Sequence, residues 1–346
     1  MHSLNDPYWQ QPTQLEKLKT VLGCEQVIVL SKQSGGNSVV YCIQADHKRY
    51  AVKIYPPYAP GGRDRLTSEL LVYQFYLKKK ICTVPKLQAF CEKERWLIIE
   101  WIDGKKIDHY TTSDIQQALD FIHLTAKLGQ DPEAATLPQA AEPCLSLKAL
   151  IDQVDRRWQR LLNQPEQDKS LYDFLSNEFR AVFQQLCQRA VHGYQSLGVE
   201  IDTDISFEKR ALIPADFGFH NIICDQSGQL YFFDFDYFGW DDPVKLLSDI
   251  LWHPKMDLSE PQITQFIDGF AVIFASDANF LARFDYHFPL FGLRWVLILL
   301  NEFITEFWQN RQHAMVYDNR HEAKNAQLQR AKVLLQRVQQ QTGCLI

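Results

Sequence analysis

Pro214-Ala215-Asp216-Phe217-Gly218-Phe219-His220-Asn221-Ile222-Ile223-Cys224-Asp225-Gln226-Ser227-Gly228-Gln229-Leu230-Tyr231-Phe232-Phe233-Asp234-Phe235-Asp236 is the stretch from which the rest of the chain can be read. Ile222 to Cys224 is a short apolar run, Asp225-Gln-Ser-Gly228 carries turn chemistry, and Leu230 to Phe233 is a second apolar run, so the segment predicts a β-hairpin. Asn221 enters that hairpin and Asp234 leaves it, with Asp216 five residues ahead of Asn221. An acidic group set before an amide and a second carboxylate suits phosphoryl transfer. The first takes or orients the proton of an acceptor hydroxyl, and the other two hold Mg²⁺ against a polyphosphate.

Such a centre needs a cation for the phosphates, carried on a strand. Arg49 to Tyr55 alternates in strand fashion and contains Ala51-Val52-Lys53, which makes Lys53 the candidate. Ahead of it, Val27 to Leu30 and Val39 to Ile43 read as strands flanking the small-residue turn Ser31-Lys-Gln-Ser34-Gly35-Gly36-Asn37-Ser38, whose glycines permit close backbone approach to a phosphate. The full Gly-x-Gly-x-x-Gly pattern is absent. After the Pro- and Gly-rich break at 56–62, a helix is expected over 63–80. Glu69 in that helix is the carboxylate expected to fix Lys53 by a charge-assisted bond, with Asp64 and Glu92 as alternatives.

This order of motifs, together with Trp96 to Gly104 and with Gly239-x-x-Asp242-Pro243 followed by Asp249-Ile250, resembles the aminoglycoside phosphotransferase and choline kinase superfamily over roughly residues 25–253. The resemblance implies an α+β, protein-kinase-like fold of two lobes. A small β-rich lobe would span 1–103, with a hinge near 99–104, and a larger helical lobe would span 104–346. It implies ATP and Mg²⁺ as cofactors, with Lys53, Glu69, Ser34, Gly35, Gly36 and the backbone of Glu100, Trp101 and Ile102 around the nucleotide. Asp216 would be the base, and Asn221 and Asp234 the metal ligands. The activity implied is transfer of the γ-phosphoryl group to a hydroxyl of a small polar metabolite such as a sugar, amino sugar, amino alcohol or aminoglycoside. A nucleotide-binding pseudokinase with a regulatory role is the alternative.

Asp216-Phe217-Gly218 also spells the Asp-Phe-Gly of protein kinases, whose Asp binds metal. Spacing opposes that role here. A metal-binding Asp216 would require an Asn near position 203, where the chain has Thr203, whereas Asp216 as base finds Asn221 and Asp234 in register. The chain departs from the superfamily in lacking a His-Gly before this Asp. His220 either replaces the missing brace or is a loop histidine without a chemical role. Asp236 either assists a second Mg²⁺ or substrate, or bonds the neighbouring backbone.

With 346 residues, 46% of them hydrophobic, the chain has the material for two cores. A net charge of −6 with dispersed Lys and Arg argues against a nucleic-acid surface. No apolar run reaches the length of a membrane span, and no secretory leader is visible. The eight cysteines are scattered, without a Cys-x-x-Cys pair, as expected for reduced thiols in the cytoplasm. The expected partner is a small-molecule acceptor, and the expected state a monomer or homodimer. Past Gly104, helices are expected over 113–128, 146–163, 170–197, 260–275, 289–312 and 321–340, with an irregular stretch at 129–143.

Overall fold

The computed structural model describes residues 6–34, 38–58, 62–165, 168–311 and 319–341. The expected turn residues Gly35 and Gly36, and the side chain of Ser34, lie outside the described residues. Along the chain come α1 (Pro12–Leu22), β1 (Val27–Ser34), β2 (Val39–Ala45), β3 (Lys48–Ile54), α2 (Arg65–Lys78), β4 (Leu87–Cys91), β5 (Trp96–Glu100) and β6 (Gly104–Lys105). Next are α3 (Thr112–Leu128), α4 (Leu147–Leu162), α5 (Lys169–Asp173), α6 (Arg180–Ser196) and β7 (Ala211–Ile213). The predicted hairpin follows as β8 (Ile222–Asp225) and β9 (Leu230–Phe232), then β10 (Gly239–Asp241) and α7 (Pro243–Trp252). The chain ends with α8 (Glu260–Ile273), α9 (Phe280–Leu299), α10 (Thr305–Arg311) and α11 (Arg320–Gln340). The β-rich first part and helical remainder are the α+β class that the motifs implied.

Two compact units result, one formed by 1–110 with 219–238 and the other by 111–218 with 239–346. The sequence reading placed the hairpin with the C-terminal unit. Its hydrogen bonds go instead to the first: β6 pairs with β8, with Gly104 opposite Asp225, and the Phe232 N–H donates to the Thr83 carbonyl at 2.9 Å.

The first unit is built on an antiparallel sheet in the order β1-β2-β3-β5-β4. Strand alternation sends Val52 to one face, where Trp9, Leu18, Tyr41, Ile43, Trp96 and Ile98 are buried with it under α1. It sends Lys53 to the opposite face. Asp64 caps α2 by accepting from the Leu66 N–H at 3.2 Å and pairs with Arg95 at 2.7 Å, so it is committed to the helix start.

In the second unit α9 is the central helix, packed by α4, α6, α7 and α11. It starts at Phe280, nine residues before the expected 289, and Pro289 lies inside it. The missing N–H costs a hydrogen bond, but the burial of the helix around Pro289 outweighs that local break. Helix α3 starts at Thr112, one residue before the expected 113, with Thr111 as its cap in a reciprocal box with Asp114. Asp242 and Pro243 open α7 as cap and first residue, as the sequence predicts.

Candidate functional site

Lys53, Glu69 and Asp234 meet within the first unit. The Lys53 ammonium lies 2.6 Å from Glu69 Oε2 and 2.5 Å from Asp234 Oδ1. Lys53 is 7% exposed and Glu69 1%. Burial alone would push the ammonium toward its neutral form, yet the charges of Asp234 and Glu69 outweigh it and hold Lys53 above the ordinary lysine value. Of the three acids the sequence offered to Lys53, Glu69 is the one it meets. Asp64 is spent on the helix cap, and Glu92 lies exposed in the turn between β4 and β5.

Glu69 is fully used. Its Oε2 also accepts from the Tyr55 hydroxyl, and its Oε1 accepts the Phe235 N–H at 3.1 Å. One carboxylate thus ties β3, α2 and the segment after β9 together. Tyr55 was not singled out by the sequence reading, although it lies two residues past Lys53 and so projects from the same sheet face. Its hydroxyl is held well above the ordinary tyrosine pKa by burial and by the Glu69 charge, which makes it a steady donor.

Asn221 and Asp234 come to one end of the hairpin. The register Ile222 to Phe232 is extended by the Phe233 N–H, which donates to the Asn221 carbonyl at 3.3 Å. Asp234 itself adopts φ +71°, a left-handed backbone that is uncommon for a residue other than Gly, Asn or Asp and that recurs at functional sites. Gly104 makes the approach of β8 possible. A Cβ there would lie 2.4 Å from the Cys224 carbonyl oxygen.

Asp236 is buried, 3.6 Å from Arg65, and its carbonyl accepts from Arg63 Nε at 2.9 Å. Arg63 also donates to the Phe238 carbonyl at 2.7 Å, so both arginines of the α2 entrance brace the segment after Asp234. Burial, and then the nearby Asp234 charge, raise the Asp236 carboxyl to about 7. His220 lies in the short helical turn Phe219–Asn221, beside Asn221. Asp216 belongs to the second unit, in the loop that follows β7.

At the expected hinge, the Glu100 N–H donates to the Lys86 carbonyl at 2.9 Å and the Trp101 N–H to the Arg49 carbonyl at 3.3 Å. Both donors are committed to the sheet. The Ile102 N–H has no hydrogen-bond partner among the described residues.

In the second unit the acidic run after the hairpin is structural. Asp241 holds Lys245 at 2.8 Å and the Cys144 N–H at 2.8 Å, and Asp242 receives both sides of the Arg283 guanidinium at 3.0 Å while capping α7. Asp249 takes Arg294 at 2.6 Å. Asp241 and Arg294 are thereby committed to buried ion pairs.

Solved structures of low sequence identity share the fold. Choline kinase LicA from Streptococcus pneumoniae aligns with TM-score 0.56 at 13% identity, covering 95% of this chain and 99% of that one. Spectinomycin phosphotransferase APH(9)-Ia, in complex with ADP and spectinomycin, aligns with TM-score 0.59 at 14% identity, covering 92% and 98%. An ethanolamine kinase of Plasmodium vivax aligns with TM-score 0.57 at 12% identity, covering 95% and 89%. A search of the curated proteins finds no match to the chain. Among the described residues no helix is long and apolar enough to cross a membrane. Residues 30–283 match the profile of a known family, and on that match the chain belongs to the phosphotransferase enzyme family.

Proposed function

We propose that the chain is an ATP-dependent kinase that transfers the γ-phosphoryl group to a hydroxyl of a small polar metabolite, with a sugar, amino sugar, amino alcohol or aminoglycoside as the acceptor classes to test. The observation that carries this reading is the buried Lys53 ammonium shared between Glu69 and Asp234. A cation positioned by one carboxylate and adjoining another at the mouth of a hairpin is what binding of nucleotide phosphates with a metal requires. The same intact charge set counts against the pseudokinase alternative.

In this reading Lys53 holds the phosphates, and Glu69, itself anchored by Tyr55 and Phe235, fixes where the ammonium points. The Ile102 N–H is the open donor for an adenine edge. Asp216 orients the acceptor hydroxyl and takes its proton, and Asp236 is a buried brace held by Arg63 and Arg65. The Asp234 carboxylate and the Asn221 amide oxygen are hard oxygen donors at one end of the hairpin, a set that fits Mg²⁺. When bound, Mg²⁺ supplies neutralisation of the charge that develops on the transferring phosphoryl group. Catalysis by the chain itself then rests on positioning and fixed charge.

The test is a transfer assay of the purified protein with ATP and Mg²⁺ against sugars, amino alcohols and aminoglycosides. Phosphorylated product is expected from at least one class, and Asp216→Asn should abolish it while nucleotide affinity is kept. Full activity of Asp216→Asn on the best acceptor would overturn the assignment of the base.

A further inference from the structure

A basic cavity lies in the second unit, away in sequence from every residue placed in the transfer centre. The loop before α4, one face of α4 and the end of α9 enclose about 170 Å³, lined by Glu142, Gln153, Arg156, Arg157, Arg160 and Asn301. Gln153, Arg156, Arg157 and Arg160 fall at the three- and four-residue spacing of a single helix face, so α4 itself brings them together. In a chain of net charge −6, three guanidinium groups here face one lining carboxylate.

The acids nearby do not cancel this charge. Glu142 pairs with Arg157 at 2.5 Å, and Arg160 reaches Glu306 at 2.5 Å, a carboxylate that is 76% exposed and therefore a weak partner. On α4, Asp152 is taken by Lys148 at 2.7 Å and Asp155 accepts from Gln159 at 3.4 Å. Arg156 has no ion-pair partner among the described residues.

Gln153 supplies the second observation. It is 6% exposed, and its amide nitrogen donates to the carbonyls of Glu142 at 3.1 Å and Pro143 at 2.9 Å. Both amide hydrogens are thus used, which fixes the orientation of the group. Its Oε1 is buried with no hydrogen-bond partner. A buried acceptor left unsatisfied is costly, and a ligand hydroxyl in the cavity relieves it. Asn301, 8% exposed, adds an amide from the turn that follows α9.

We propose that this cavity binds a small phosphate ester that carries a free hydroxyl. The phosphate oxygens lie among the guanidinium groups of Arg156, Arg157 and Arg160, whose planar donor forks suit that geometry, and the hydroxyl donates to Gln153 Oε1. The volume equals about five or six water-sized groups, enough for a phosphate with a short hydroxylated tail and too small for a nucleotide.

Calorimetric titration of the full chain with inorganic phosphate, glycerol 3-phosphate and glycerol tests this. Glycerol 3-phosphate should bind several-fold more tightly than phosphate, and glycerol should not bind. Arg156→Gln, at an exposed position without an ion-pair partner, should keep the wild-type melting temperature and weaken glycerol 3-phosphate by about tenfold or more, with a similar effect from Arg160→Gln. Saturating ADP with Mg²⁺ should leave the affinity unchanged. Equal affinity in Arg156→Gln, no advantage of glycerol 3-phosphate over phosphate, or loss of glycerol 3-phosphate binding on saturation with ADP would each overturn the site. The last pattern would place the phosphate at the nucleotide-binding residues, so the two sites are tested apart.

Discussion

Lys53 and Asp234 lie 181 residues apart in the chain and meet at 2.5 Å. The contact couples the strand that carries the cation to the hairpin that carries the acids, and Glu69 closes the arrangement from α2.

Replacing Glu69 with Gln keeps the shape of the side chain and removes its charge. Lys53 then depends on Asp234 alone, and Tyr55 loses its strong acceptor. Removal of one partner from a buried ion pair costs about 3–5 kcal/mol, and the remaining Asp234 places this case at the lower end of that range. Urea unfolding should show the loss, and kcat/KM of the transfer reaction should fall with it. A variant as stable as the parent would show that Glu69 does not anchor the ammonium.

Asp234→Asn removes the negative charge of one of the two proposed metal ligands while leaving an amide oxygen near Lys53. Transfer activity should drop on the order of 100-fold or more. Nucleotide affinity should lose its response to added Mg²⁺, whereas the parent binds nucleotide more tightly as Mg²⁺ is titrated in. An unchanged Mg²⁺ response in the variant would move the metal to other ligands.

Gly104→Ala places a methyl group against the Cys224 carbonyl, where the backbone has no room. The pairing of β6 with β8 must open, at a cost of about 1–3 kcal/mol as for other overpacked sites. Hydrogen exchange should rise at 222–225, and activity should fall because Asn221 moves with the strand. Unaltered exchange protection there would mean that the pairing tolerates a side chain.

His287 is buried on α9, with its Nε2 2.7 Å from the Tyr194 hydroxyl. Burial, and then the charge of Arg283, lower its pKa from the usual 6.5 to about 3. The folded form thus keeps His287 neutral where the unfolded chain would bind a proton. Below about pH 6.5 the unfolded state takes up more protons, so stability falls with falling pH, by about 1.4 kcal/mol per unit once well below that value. Urea unfolding at pH 5 and pH 7 should show this loss, and His287→Phe should reduce the difference between them. An equal difference in both proteins would assign the pH dependence to other groups.

Much of the first unit was legible in the chain because its signals are local. The alternation around Lys53 reports a strand, the turn residues Asp225 to Gly228 report a hairpin, and Asp242-Pro243 reports a helix start. Each rests on backbone geometry within a few residues. The true start of α9 was not legible in the same way, since the packing that sustains the helix through Pro289 is not a local signal. Tyr55 went unnoticed because only its contact with Glu69 gives it a role.

By itself the sequence determined the order and spacing of Lys53, Asp216, Asn221 and Asp234, and with them the class of fold, because these depend on short stretches of chain with characteristic periods and turns. Tertiary structure alone decided which acid meets Lys53, that the hairpin joins the first unit through β6, and that Asp241, Asp242 and Asp249 are spent on buried ion pairs. Glu69, Asp64 and Glu92 are equivalent as letters. They differ only in what surrounds them once α2 packs on the sheet, where desolvation makes a charge stable solely beside its partner.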